Sequence, residues 1–250
     1  MHDRVGARWT QVLQGKGYVQ VSDERFLRRF RDSPYITTAL RYAHLQPGSL
    51  ILEPGCGSGK FSLALASLGH RVIALDYVFD VLRGVQATQE RLGVQLIGLC
   101  QGSLEHLPFP DDTFGLVINE GVVEHWLDDR ERLMVLQEMV RVTRPNGVVA
   151  VIVPNGVHPL IHIWESRLTG FSEAPPMTYY SAERLEAELV EAGLEDVYID
   201  GIYPWRSLTR IAPWNRLYLL SAILDHWAPL PRSLRKKLAI NLVGLGLKPK

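Results

Sequence analysis

Between Ser49 and Asn155 five short apolar runs alternate with stretches of helical spacing, and this alternation restricts the fold more than any other feature. SLILEP reads as a buried strand over about Ser49–Glu53, KFSLALASLG as a helix stopped at Gly69, and RVIALD as a second strand ending on Asp76. VFDVLRGVQATQERLG predicts a helix ending at Gly93, and VQLIGLCQG predicts a third strand. After the polar turn PFPDDTF, GLVINEG is a fourth strand. RERLMVLQEMVRVTRPNG predicts a helix with a Pro-Asn-Gly stop, ahead of VVAVIVPN as the fifth. Five strands with helices in three of the four gaps mean βαβ units and a parallel sheet. Right-handed crossovers then place ligands at the carboxyl ends of the strands, by the topological switch point.

The flanks are less regular. Residues 24–46 carry Phe26, Phe30, Ile36, Leu40 and Ala43 at helical spacing, broken at Pro34 and closed by Pro47-Gly48. Beyond Asn155 a loop holds Pro159, Pro175 and Pro176. SAERLEAELVEAG resumes as a helix with Ser181 as N-cap, although Arg184 stands where a full capping box wants Glu or Gln. EDVYIDGIY reads as a strand, residues 205–237 as helical pieces cut by Pro213, Pro229 and Pro231, and LAINLVGLGLK as a last strand paired with EDVYIDGIY.

The 250 residues suffice for one α/β domain or two small ones. A formal net charge of +0 argues against general affinity for nucleic acid. The balance is uneven, because from Tyr203 onward nine Lys/Arg face the single acid Asp225, a split that can mark a contact surface. MHDRVGARWTQ has no apolar signal region and no apolar run reaches the ~18 residues of a spanning helix, so the expectation is a cytoplasmic protein. Cys56 and Cys100 are too few for a disulfide framework or a cysteine zinc site. No metal is expected: Glu124-His125 lacks an HExxH partner, and Pro159 interrupts the His158/His162 pair.

LEPGCGSGKF, Leu52 to Phe61, sits at the end of the first strand, where the switch-point rule wants the site. A phosphate loop needs G-x-x-x-x-G-K-[ST], but here Pro54 replaces the first glycine and Phe61 the magnesium-binding hydroxyl. A dinucleotide fingerprint wants a third glycine where Lys60 stands, which weakens that reading. The remaining pattern is Glu-x-Gly-x-Gly-x-Gly at Glu53, Gly55, Gly57 and Gly59, with Asp76 at the next strand's end, 21 positions after Gly55. This combination resembles motif I of the class I S-adenosylmethionine-dependent methyltransferases. GSLEHLPFPDDTFGLVINEGVVEHW and VRVTRPNGVVAVIVPN resemble later segments of the branch related to ubiquinone and menaquinone methyltransferases, and the likeness runs from about Ser49 to Tyr203 plus the last strand.

The resemblance implies a Rossmann-like doubly wound α/β sheet of seven strands, order 3-2-1-4-5-7-6, with the last strand antiparallel and a helical insertion before it. It implies one domain: N-terminal helices over 1–48, a cofactor core over 49–153, a substrate loop over 154–180, an insertion over 203–237 and a last strand over 238–248. It also implies S-adenosylmethionine as cofactor and S-adenosylhomocysteine as product. The backbone from Gly55 through Cys56 and Gly57 to Gly59, with Glu53 at its root, would hold the methionine part, and an unshielded helix N-terminus can face its carboxylate. Asp76 would take the ribose hydroxyls, Tyr77 and Leu104 would flank adenine, and Asn119 and Glu120 would lie under the sulfonium. Ser103 stands where the family often has an Asp reaching the adenine amino group, and Gly115 where it often has another Asp.

Methyl transfer from a sulfonium is an in-line displacement that positioning alone accelerates strongly, and a base is needed only when the acceptor must lose a proton. His125 is the candidate base, just past the fourth strand, against a plain structural reading of the same ring. His158, His162, Tyr179 and Tyr180 lie on the loop that would cover substrate. NEGVV at the fourth strand's end lacks the Asn-Pro-Pro-Tyr type of motif used on nucleic-acid bases, which leaves a small-molecule or lipid-like acceptor, with its methylated atom unassigned. The segment 205–237, with Trp205, Trp214, Tyr218 and Trp227, reads first as a core helix, then as a substrate lid, then as a peripheral membrane contact. The rival readings are a nicotinamide-dependent oxidoreductase, which would want a Tyr-x-x-x-Lys, and a non-catalytic cofactor-binding scaffold with a partner on its basic C-terminal segment. Oligomeric state is not legible.

Overall fold

Strand β1 (Leu50–Pro54) runs parallel between β2 (Arg71–Asp76) and β4 (Phe114–Glu120). The computed structural model describes residues 4–13, 24–45, 48–159, 176–207, 224–225, 228 and 230–250. β3 (Gly98–Gln101) extends the sheet beyond β2, and β5 (Thr143–Pro154) follows β4. β6 (Glu195–Ile202) and β7 (Asn241–Leu247) complete a seven-stranded sheet of order β3-β2-β1-β4-β5-β7-β6. β7 is antiparallel to both of its neighbours. The chain leaves β1 toward β2 and returns to β4 on the opposite side of β1, so the crevice of the switch point opens at the carboxyl end of β1.

Helices cover both faces. α1 (Arg4–Leu13), α2 (Glu24–Arg31) and α3 (Pro34–Ala43) precede the sheet, and α4 (Lys60–Ser67) and α5 (Phe79–Leu92) cross between the first three strands. α6 (Asp129–Val142), α7 (Ala182–Glu191) and α8 (Arg232–Leu238) follow. β5 shows how the sequence sorts the two layers. Val149, Val151 and Val153 join the cluster that holds Met139 of α6 and Leu185 and Leu189 of α7. Val148, Ala150 and Ile152 join the cluster with Ile36 of α3 and Phe61 and Leu65 of α4. All six are buried, as the two-residue period of a strand covered on both sides requires. Each larger side chain among them contributes roughly 1.5–3 kcal/mol through removal from water.

The caps follow the sequence. Ser181 accepts from the Arg184 amide at 3.2 Å, and Gly93 closes α5 in the left-handed conformation. Three boundaries differ from expectation. α6 ends at Val142 rather than at Pro-Asn-Gly, because Thr143 already pairs with Phe114 at the start of β5. Pro145, Asn146 and Gly147 form the irregularity that follows, where the register jumps to Leu116 against Val148. The last strand starts at Asn241 rather than Leu238, since α8 occupies the residues before it, and β3 is confined to Gly98–Gln101. Among the described residues no helix is long and apolar enough to cross a membrane, and no group of three or more His, Cys, Asp or Glu is placed to hold a metal ion. His162, Trp214, Tyr218 and Trp227 lie outside the described residues.

Candidate functional site

The loop after β1 is bolted to the end of β2. Gly55 and Cys56 both donate their amides to the Leu75 carbonyl, at 2.8 and 2.9 Å, and Gly57 donates to Asp76 Oδ2 at 2.9 Å. Asp76 Oδ1 accepts from the Val78 amide, also at 2.9 Å. Both oxygens of Asp76 thus accept from backbone amides, which fixes the carboxylate at the wall of the crevice. Gly55 has φ +71, and a Cβ there would come within 2.8 Å of the Val122 side chain. Only glycine lets this backbone run so close to the turn after β4.

Glu53 behaves differently from expectation. Its buried carboxyl turns toward α4, accepting from the Ser62 amide at 2.7 Å and from the Ser62 hydroxyl. Glu53 thus occupies the Ser62 amide in the first turn of α4. Burial pushes the Glu53 carboxyl up to about 8, against the pull of both Ser62 donors and the Lys60 ammonium. Lys60 reaches over to pair with Glu120 at the end of β4. Gly59, with φ +69, caps α4 against Val85.

An open cleft lies at the carboxyl ends of β1, β2 and β4. Gly55, Gly57, Asp76, Tyr77 and Leu104 line it, as do Val78, Gly121, Val122 and Trp126. Val5, Gly6 and Trp9 of α1 supply a wall. The other candidates of the sequence do not line it. Glu53 and Glu120 face α4, and Cys56 is buried with its thiol pushed up by burial and by the nearby Asp76 and Glu53 carboxyls. Ser103 Oγ accepts locally from the Glu105 amide at 3.1 Å. Asn119 is wholly buried: its amide nitrogen reaches Met139 Sδ at 3.3 Å, and Oδ1 has no hydrogen-bond partner among the described residues.

The turn after β4 is clasped by the segment before α7. Thr178 donates its amide to the Glu124 carbonyl at 2.7 Å, and His125 Nδ1 lies 3.4 Å from the Pro176 carbonyl. The His125 ring meets Trp9 edge-to-face at 5.1 Å. Burial lowers its pKa, opposed by the carbonyls of Pro176 and Gly121, so the imidazole is neutral at pH 7. Glu124 is buried too, and desolvation drives its carboxyl up to about 8. Tyr180 is fully buried and donates to Glu188 Oε2 at 2.8 Å. The fully buried Arg132 holds Glu188 with two nitrogens, at 3.0 and 2.8 Å, and donates to the Trp126 carbonyl at 2.6 Å. That network fixes the cleft wall at Trp126, whose indole nitrogen also donates to Glu105 at 3.1 Å.

The resemblance implies that substrate choice rests on the N-terminal helices, the 154–180 loop and the 203–237 segment, but sequence reasoning named no residue of α1 and did not single out Arg132. Val5 and Trp9 do stand four residues apart, on one helical face, which is a readable sign of a packed surface. Nothing local marks Arg132, because its partners lie in another helix and a distant turn.

A methyltransferase-domain family profile matches residues 52–151. Over 117 residues the chain is 36% identical to a probable S-adenosylmethionine-dependent methyltransferase of Mycolicibacterium smegmatis, covering 47% of this chain and 42% of that protein. Over 102 residues it is 35% identical to a malonyl-[acyl-carrier protein] O-methyltransferase of Yersinia pestis, covering 41% of this chain and 35% of that one. The chain thus spans less than two thirds of the length of these curated relatives. A Haloferax volcanii methyltransferase solved in complex with the Trm112 methyltransferase activator superposes with TM-score 0.61 at 18% identity, over 100% of both chains. Haemonchus contortus phosphoethanolamine N-methyltransferase 2, solved with S-adenosylhomocysteine, gives 0.62 at 13% identity over 98% of this chain and 57% of that one. These two likenesses establish the fold.

Proposed function

We propose that this chain, whose residues 52–151 form a class I S-adenosylmethionine-dependent methyltransferase domain, transfers a methyl group to a small, partly apolar acceptor. The observation that carries the reading is Asp76: a carboxylate oriented by the Gly57 and Val78 amides at the wall of a cleft, next to Gly55 and Gly57. Two ribose hydroxyls need that arrangement, and Val78 and Leu104 offer apolar surface beside it for a base. The close approach at Gly55 suits the methionine part.

When bound, S-adenosylmethionine supplies an electrophilic methyl on a sulfonium. The chain's residues then hold and orient: Asp76 fixes the ribose, the loop fixes the chain that carries the sulfonium, and the β4 turn with Trp126 bounds the acceptor end. Alignment of this kind accounts for up to about 7–11 kcal/mol of barrier lowering in favourable cases. No histidine, cysteine or lysine is among the described residues that line the cleft. His125 faces carbonyl oxygens and the Trp9 ring, so we assign it to bracing the wall rather than to proton abstraction. We propose an acceptor atom already nucleophilic at neutral pH, such as a carboxylate oxygen, for which transfer needs no general base. The O-methyltransferase relatives that act on a malonyl group agree with that choice. The segments 154–180 and 203–237 are proposed to shape the rest of the acceptor site.

Calorimetric titration with S-adenosylhomocysteine tests the donor half: micromolar binding is expected, and no heat at millimolar ligand sinks it. A panel of carboxylates, phenols and amines with isotopically labelled donor tests the other half. Label appearing only on phenols or amines overturns the carboxylate assignment.

A further inference from the structure

The N-terminal helix α1 lies across the cleft and touches both of its sides. At Gly6 the helix backbone sits on the Tyr77 ring so closely that a Cβ would fall 2.4 Å from Cγ. Tyr77 follows directly on the Asp76 end of β2. One helical turn later, Trp9 meets His125, in the turn after β4, and packs on the cluster that holds Cys56 and Val78. Val5, four residues before Trp9, packs toward the opposite cluster, which includes Leu104 and Trp126. Positions 5, 6 and 9 are thus presented to the cleft along one side of α1, and all three line it.

This spacing separates two tasks. Gly6 and Tyr77 meet at the side of the cleft where Asp76 stands. Trp9 reaches from the cluster that holds Cys56 and Val78 to His125 in the β4 turn, on the side where β1 and β4 run together and a transferred group would be delivered. We infer that Trp9 is a specificity-determining residue whose indole faces the transferred methyl group, and that Gly6 is the close-contact point that seats α1 over the bound nucleoside. The inference rests on the methyl-donor reading above. An indole at this place favours a cationic centre through its ring face and offers the acceptor a flat apolar wall. A side chain at position 6 would lift α1 from Tyr77 and open the same wall.

The test uses the whole chain with S-adenosylhomocysteine and with sinefungin, which carries an amine where the methyl would be. Calorimetry on the wild type comes first; if neither ligand binds, the donor reading itself has failed, whatever Trp9 does. With binding established, 5-fluorotryptophan-labelled protein is followed by fluorine NMR, and the Trp9 signal is identified by its loss in Trp9→Phe. The expected result is a Trp9 resonance that moves on saturation with S-adenosylhomocysteine and moves to a different position with sinefungin. Trp9→Ala is expected to lower the affinity for sinefungin relative to S-adenosylhomocysteine by roughly two- to fivefold. Gly6→Val should weaken both ligands together. A Trp9 signal that ignores both bound ligands, or an affinity ratio unchanged in Trp9→Ala, overturns the assignment and leaves the donor reading standing.

Discussion

The Lys60 ammonium pairs with the Glu120 carboxylate across the carboxyl end of β1, and it also lies 5.6 Å from the centre of the Phe30 ring. One cation therefore ties α4 to β4 and to α2, beside the buried Glu53 that it also stabilises in ionised form. Both partners of the pair are partly exposed, so its contribution is small. Lys60→Met is expected to lower stability by no more than about 1 kcal/mol, roughly 2–4 °C in Tm. Differential scanning calorimetry reads this directly, and a fall well beyond it would mean that Lys60 organises the loop itself.

The two buried glutamates make stability depend on pH in an unusual direction. Glu53 and Glu124 have folded-state pKa values of about 8, raised first of all by burial, against about 4.3 for an unfolded glutamate. Between these values the native state binds more protons than the unfolded chain, so stability falls as pH rises from about 4.3 to 8. Each carboxyl contributes a slope of up to about 1.36 kcal/mol per pH unit. His70, His125 and His158, with lowered pKa values, act in the opposite sense only as pH falls below about 6.5. Urea midpoints between pH 6.5 and 8 should therefore decline for the wild type, decline less for Glu53→Gln or Glu124→Gln, and flatten in the double variant. Parallel slopes in all four proteins would contradict this.

Asp76→Ala removes the carboxylate that accepts from Gly57 and Val78 as well as the group assigned to the ribose. A hydrogen bond to a charged group contributes about 1.5–3 kcal/mol, so affinity for S-adenosylhomocysteine should fall roughly 10- to 150-fold. Calorimetry with adenosine alone should show a loss of the same size, because the ribose is common to both ligands. A loss confined to S-adenosylhomocysteine would relocate Asp76 to the amino-acid part.

Arg132 and Glu188 form an ion pair in which the guanidinium is wholly removed from solvent. Arg132→Met leaves Glu188 with one partner fewer beside the buried Tyr180 hydroxyl and should cost about 3–5 kcal/mol. Arg132→Met combined with Glu188→Met removes a carboxylate that Arg184 and Tyr180 alone would otherwise hold. The double variant is expected to be more stable than the single one by chemical denaturation. If the double variant is no better, the loss comes from the Trp126 carbonyl instead.

The sheet was readable because its strands are buried on both faces and separated by glycine-capped helices; β5, with six consecutive buried residues from Val148 to Val153, could be little else. Gly55, Gly57, Asp76, Tyr77 and Leu104, named from the motif, line the cleft, and their part in holding a cofactor is proposed. The motif could not say that Glu53 would spend its carboxyl on Ser62, because a strand-end acid reads alike whether it faces a ligand or a helix. His125 had the same ambiguity, decided only by Trp9 and Pro176, which are distant in sequence. The α6 boundary was misjudged since Pro-Asn-Gly stops helices and breaks strands equally well. Arg132 depends on tertiary contacts that leave no local pattern, and the Val5/Trp9 spacing of α1 marks a packed face without saying what it packs on.

β7 lies inside the sheet, between β5 and β6, although it follows both in the chain. During synthesis β6 emerges with no neighbour to pair with, and β5 keeps one raw edge, until Asn241–Leu247 has left the ribosome. The cofactor half of the sheet, β1 to β5, has no such wait. A nascent chain can thus present its donor-binding face while the far edge is still unsealed, and the last strand acts as a keystone whose arrival decides when the protein stops being an aggregation hazard.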